Sequence, residues 1–305
     1  MAGPAARERG NAVIAVLVAV ALVVVIGPIV LHFTQKRHDQ LPLAVLADYP
    51  PDRPVVPGEV LASTLAAVMD HELGSASGWR PNDFVLWGPT LWADNNANRQ
   101  LGILQVERET VRVLRDHLTK VSSTEYDPNL QEAYTRLQND PEKLWLPSAE
   151  GSYSKATEAL RQYVAGLRTT PPTSKPIQRR NVELIRLFQT WSDILGDAHE
   201  KLFRDNVPMW QTDDYYYHAQ GVAYAMHHLL LAIQREYQTD LEGRPTLSQL
   251  VTEVAAVLGV AGTMKPIVIL DGSVTGVTAN HRRNLDGYIV DARQKMYSIR
   301  EELEK

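Results

Sequence analysis

Cysteine is absent from the 305-residue sequence. That absence removes disulfides, zinc–thiolate sites, iron–sulfur clusters and cysteine nucleophiles together. It assigns no compartment, because a cysteine-free chain suits reducing and oxidising surroundings alike. A basic excess is missing too: 31 Lys and Arg stand against 36 Asp and Glu, a net charge of -5. This argues against a dedicated nucleic-acid binder, which carries a basic surface. The Arg179-Arg180 and Arg282-Arg283 pairs are too small to reverse it. No metalloprotease H-E-x-x-H helix occurs, since His71-Glu72 and His199-Glu200 lack a second His four residues after the first. There is no G-x-S-x-G elbow for serine chemistry, and glycine-rich stretches such as GVAGT lack the lysine and strand context of a phosphate loop. No repeat of fixed period and no low-complexity tract is found. What remains has 44% hydrophobic residues, the content of a folded protein, in a length that allows one large or two ordinary domains beside any membrane segment.

Long apolar runs are scarce, with one exception. Residues 12–33, AVIAVLVAVALVVVIGPIVLHF, are apolar apart from His32. At about 1.5 Å per residue such a run crosses the roughly 30 Å hydrocarbon core of a bilayer. A signal peptide would have a shorter apolar stretch and a small-x-small cleavage site, and polar sequence from Thr34 to Gln40 follows here instead. The reading is a retained anchor, with a kink expected at Gly27-Pro28. Residues 1–11 form a short tail. Arg7 and Arg9 on one side balance Lys36 and Arg37 on the other, so charge leaves the orientation open. Residues 34–58 carry Pro42, Pro50, Pro51, Pro54 and Pro57, which block helix and predict a stiff stalk.

Residues 59–305 then read as an all-α body. Leu61, Leu65, Val68 and Met69 fall at helical spacing before Gly74. From about Arg99 one helix follows another, beginning with a stripe of Leu101, Leu104, Val111, Leu114 and Leu118. Asp127-Pro128 and Asp140-Pro141 look like capped openings. A helix over 149–168 stops at TTPPTSKP, and Leu184, Leu187, Trp191, Ile194, Ala198 and Leu202 give the next helix a clear apolar face. Thr212 begins a long helix to about Tyr237, and Thr246 with Gln249 has capping-box spacing. Residues 265–280 have a β-like flavour broken by glycine, compatible with a hairpin or a loop. Leu285, Ile289, Ala292, Met296, Ile299 and Leu303 step by four and three, the pattern of a two-helix seam.

Two stretches could carry chemistry. In TDDYYYHAQGVAYAMHHLLLAI, residues 212–233, Asp214, His218 and His228 share a helical face, and Tyr217 and Tyr224 lie on the next. An Asp and a His four residues apart can ligate a metal or pair as acid and base. Such pairs are also common in ordinary helices, so neither a metal nor another cofactor is expected. Val222, Met226, Leu229 and Ile233 would face the core. The second stretch, GWRPNDFVLWGPTLWADNNANRQLGILQ, sets Trp79, Trp87 and Trp92 beside Asp94 and Asn95. It reads as an irregular segment, either a lid packed on the body or a surface that stacks on sugars or a partner. Asp193, Asp197 and Glu200 line one helix face; a buried cluster would suit acid–base work, and a solvated acidic face is the simpler reading.

The blocks GWRPND and DNNANRQLGILQ, WLPSAEGSYSKA at residues 145–156, and LGDAHEKL, together with the N-terminal anchor, resemble an uncharacterised family of single-span bacterial envelope proteins, catalogued as domain of unknown function 2333. The resemblance implies an inner-membrane protein with its N-terminus inside and a helical periplasmic body. It implies no activity. The expectation is a non-enzymatic scaffold or accessory subunit, held in the bilayer through residues 12–33 and open to an envelope protein partner. The alternative is a periplasmic enzyme acting on peptidoglycan or another glycan with Asp or Glu acid–base groups, or a metal-dependent version using Asp214, His218 and His228. Convergence of the tryptophan segment and the Asp/His helix on one cleft would favour the enzyme, and their separation the scaffold.

Overall fold

The computed structural model describes residues 4–38, 43–74, 78–83, 94–119, 125–205, 207–266, 269–272 and 279–305. Among these the chain forms ten α-helices, and the β content is one isolated bridge between Asp271 and Asn280. The helices are α1 (Pro4–His38), α2 (Glu59–Gly74), α3 (Asp94–Val113), α4 (Pro128–Leu137), α5 (Ala149–Leu167), α6 (Asn181–Phe203), α7 (Met209–Glu236), α8 (Gln238–Glu242), α9 (Pro245–Thr263) and α10 (His281–Glu304).

The body is built around α7. Val222, Ala223, Ala225, Met226, Leu229 and Leu230 are all fully buried, so this part of the helix is apolar on more than one side and must be covered all round. α3 and α9 pack along it, and α2, α6 and α10 complete its surround. α5 rests on α2 and α4, while α10 lies against α6 and α9. The α6 stripe and the α10 seam from Leu285 to Leu303 both face inward. The seam is thus closed within the body.

Local signals explain several boundaries. Asp127 accepts from the amides of Asn129 and Leu130 with Pro128 in the first turn of α4. Ser148 accepts from Gly151 N at α5, and Asn280 from Arg283 N at α10. Asp140, by contrast, accepts from Glu142 N in a turn rather than opening a helix. Thr246 and Gln249 form no capping box: α9 starts at Pro245, and Gln249 bonds to Glu253 one turn on.

Two expectations need correction. The Trp/Asn-rich segment is irregular only in part, since α3 already begins at Asp94 and includes Asn95. An Asp in the first turn complements the helix dipole, and packing on α7 holds this turn in place. The described part of the proline-rich stretch, residues 43–58, does not stand off as a free spacer. Tyr49 is buried, Arg235 donates to the carbonyls of Tyr49, Pro50 and Arg53, and Ile177 N reaches Pro57 O at 3.1 Å. Carbonyls left unpaired by proline are thereby satisfied from the body. Among the described residues, the helix long and apolar enough to cross a membrane is α9, with mean hydropathy 1.3; the apolar stretch Asn11–Gly27 of α1 is shorter. α9 is amphipathic in context, with Leu247, Val251, Val254, Leu258 and Ala261 buried against the body.

Candidate functional site

α3 and α7 meet backbone to backbone at two glycines. A Cβ on Gly102 would overlap the His218 carbonyl oxygen, and a Cβ on Gly221 would overlap that of Arg99. Asn98 pairs with Asp214 beside this crossing, and Gly102 meets His218 within it. The polar residues of α7 fall into two clusters on either side of this crossing.

The first cluster lies toward the N-terminal ends of both helices and joins residues from both predicted stretches. Asn98 Nδ2 donates to Asp214 Oδ1 at 2.7 Å and to Asp94 O at 3.1 Å. Burial, with Asp213 and Asp214 adding like charge, pushes the Asp94 carboxyl up to about 6. Burial and Asp213 push Asp214 up to about 6, against the Asn98 hydrogen bond, and burial also raises Asp213. One turn further, Lys201 Nζ on α6 stands 3.4 Å from His218 Nε2. Burial, then Lys201, holds His218 down to about 3, so it is neutral at ordinary pH. Burial lowers Lys201 in turn, opposed by Asp197 and Glu200. Lys201 lines an open cleft of about 300 Å³ with Asp197, Glu200, Arg204 and Tyr215. Asp193, the third acid of the α6 face, is exposed and bonded to Gln189.

The second cluster is centred on Arg99. Its guanidinium donates to both carboxylate oxygens of Glu72 at 2.9 and 3.0 Å and lies 4.4 Å over the Tyr224 ring. Tyr224 meets His228 edge to face at 4.7 Å, and His228 meets His227 at 5.1 Å. Burial, then the neighbouring His227, His71 and Arg99, depresses His228 to about 3. His227 Nδ1 donates to Ala255 O at 2.7 Å. Tyr217 is buried against Tyr216 at 5.4 Å.

The sequence pattern placed Asp214, His218 and His228 on one face, and the structure gives each a different neighbourhood. His228 follows His218 by ten residues, about 15 Å of helix axis, too far to share a metal ion. Among the described residues no three His, Asp or Glu side chains are grouped to hold one. Trp79 is buried, stacks edge to face on Tyr153 at 5.0 Å and donates from Nε1 to Pro141 O at 2.9 Å. It packs under the α4–α5 loop. Asn95 is half-buried in the first turn of α3. Trp87 and Trp92 lie outside the described residues.

Sequence reasoning missed Glu72, Arg99, Lys201 and Glu107. Glu107 is fully buried and neither carboxylate oxygen has a hydrogen-bond partner; burial raises it well above the usual carboxylate range. A signal for it exists, since Glu107 falls between Ile103 and Val111 at steps of four on the apolar face. Glycines inside two helical patterns likewise mark the crossing.

Against known proteins, no curated protein and no solved structure matches this chain. A bacterial family described as "Uncharacterized protein conserved in bacteria (DUF2333)" matches residues 6–202 and 193–305. These two matches together span nearly all of the sequence, and the chain belongs to this family.

Proposed function

We propose that the protein is a single-pass, membrane-anchored helical protein of the bacterial envelope, held by α1, whose body serves as a scaffold or accessory subunit rather than as an enzyme. The observation that carries the anchor is the exposure of α1. From Val13 to Ile26 its large apolar side chains, Val24 apart, are 49–62% exposed around the helix. In water that surface is unfavourable by about 25 cal/mol per Å², and a bilayer supplies the missing apolar surround. The full apolar run of residues 12–33 fits a bilayer core at about 1.5 Å per residue. The inner membrane and a periplasmic body complete the proposal, resting on the family resemblance because the flanking charges are balanced. A phosphatase fused after Lys305 is the test of orientation: it should be active, and an inactive fusion beside an active cytoplasmic reporter would reverse the topology.

One observation favours a second reading, a glycan-acting enzyme. Asp94 and Asp214 come together with carboxyls raised to about 6, a range suited to general acid–base work, and Trp92 precedes Asp94 closely in the chain. Release of soluble muropeptides from peptidoglycan by the purified full chain, abolished by Asp94→Asn or Asp214→Asn with unchanged melting, would favour the enzyme over the scaffold.

A further inference from the structure

The loop between α4 and α5 holds its base rigidly and leaves its tip bare. Arg108 donates to Leu137 O and Asn139 O at 2.6 Å each, and Tyr153 OH reaches the same Asn139 carbonyl at 2.8 Å. Trp79 Nε1 bonds Pro141 O at 2.9 Å, while Asn82 Nδ2 and Ala149 N take Lys143 O at 3.1 and 2.9 Å. Above this frame Leu144, Trp145 and Leu146 are 44%, 79% and 94% exposed. Outside α1, the other large apolar side chains exposed among the described residues stand singly along the chain. Isolated exposed apolar residues are ordinary, whereas a contiguous patch marks a contact surface. A frame fixed in advance also lowers the ordering cost of binding.

We propose that Leu144-Trp145-Leu146 is a docking prong for a different protein, one that offers an apolar pocket rimmed by Lys or Arg. Three alternatives for what covers it are disfavoured. The tip exposes on the order of 400 Å², below the roughly 800 Å² per partner of a stable symmetric interface, so two prongs facing each other do not make a dimer. α5 spans about 28 Å along its axis. The prong precedes its first turn, while Arg168 at its far end contacts Tyr49 and Glu59, in the part of the body that follows α1 in the chain. On the anchored reading above, on which this step rests, the prong is carried away from the chain's own bilayer. Copies in one membrane also stand side by side, not head to tail. Charge points the same way. Asp140 and Glu142 are exposed beside the tip, and Lys143 is the one base in the loop. An acidic flank is repelled by anionic lipid and complements a basic rim.

The test uses the full chain in its native membranes with a benzophenone amino acid in place of Leu146, irradiated with and without a synthetic peptide of residues 140–150. The expected result is one adduct to a different protein, joined at an apolar surface next to Lys or Arg. The wild-type peptide should suppress it at least tenfold more effectively than a Trp145→Ser peptide. Trp145→Ser in the chain itself should cut the adduct tenfold with an unchanged melting curve. Adducts to lipid or to a second copy of the chain, or no adduct, would overturn the proposal, as would equal competition by both peptides. Alkaline extraction of the same membranes reads the anchor separately: release of the full chain would sink the anchored reading while the adduct still reports on the prong.

Discussion

Glu236, at the last turn of α7, caps the start of α2: its carboxylate accepts from Gly58 N at 2.8 Å, and also from Val60 N at 2.9 Å and Leu61 N at 3.2 Å. Helix N-termini leave amides unpaired, and a carboxylate there also meets the positive end of the dipole. Here the cap comes from another helix and ties the beginning of the body to its central element. Glu236→Ala should destabilise the protein by about 2–3 kcal/mol, because it strips a cap and leaves buried amides unpaired. Glu236→Gln should retain part of that. Urea unfolding would check both, and an Ala variant as stable as wild type would remove the cap from the account.

The glycine crossing makes a contrast within one protein. Gly102→Ala and Gly221→Ala each force backbone apart and should cost about 1–3 kcal/mol or more. Gly287, in the middle of α10, has nothing within 4 Å of an added Cβ, so Gly287→Ala should stabilise by about 0.5–1 kcal/mol through helix propensity. Thermal melts of the three variants decide it, and equal effects at all three sites would contradict the close crossing.

Trp79→Ala should cost about 3–5 kcal/mol, as truncation of a large buried ring does. Trp79→Phe keeps apolar bulk against Tyr153 but loses the bond to Pro141, and should cost about 1 kcal/mol from that bond plus the smaller ring's loss of packing. Because Trp79 braces the α4–α5 loop, faster amide exchange at residues 139–147 should accompany either change.

Buried carboxyls and buried histidines should make opposing contributions to stability as pH changes. Glu107, Glu236, Asp94 and Asp214 all have raised carboxyls. Folded, they hold protons that the unfolded chain releases, so their contribution is full below the ordinary carboxylate range and lost as pH rises through the folded values. For Asp94 and Asp214 that loss is complete above about 6. His218 and His228, held down to about 3, act oppositely. Their contribution is full above the ordinary value of 6.5 and is lost as pH falls toward 3. Urea unfolding from about pH 4 to about pH 9, on wild type and on variants of each group, would separate the two contributions. Glu107→Met replaces a buried carboxyl lacking hydrogen bonds with an apolar chain of similar length, so it should raise stability at neutral pH and remove part of the loss that accompanies rising pH. A variant with the wild-type slope would place that slope elsewhere.

Much of the architecture was legible because amphipathic periodicity reports burial directly. The Leu184–Leu202 stripe and the Leu285–Leu303 seam face the core, and Asp127-Pro128 opens a helix as its chemistry requires. The start of α3 was not legible, because DNNAN reads locally as a turn and only packing on α7 holds it helical. The clusters were hidden for a different reason. Glu72 and Arg99, or Glu236 and Gly58, are partners across 27 and 178 positions, with no local signature. His218 and His228 lie ten residues apart, about 80° around the helix axis, so rotation as well as rise assigns them to different neighbours.

The central claim is that α1 anchors the body in a membrane. Its most direct test is alkaline carbonate extraction of cells expressing either the full chain or a chain lacking residues 1–38. The full chain should stay with the membrane pellet and the shortened chain should appear folded in the supernatant. A full chain released by carbonate, or a shortened chain that remains in the pellet as a folded protein, would contradict the claim.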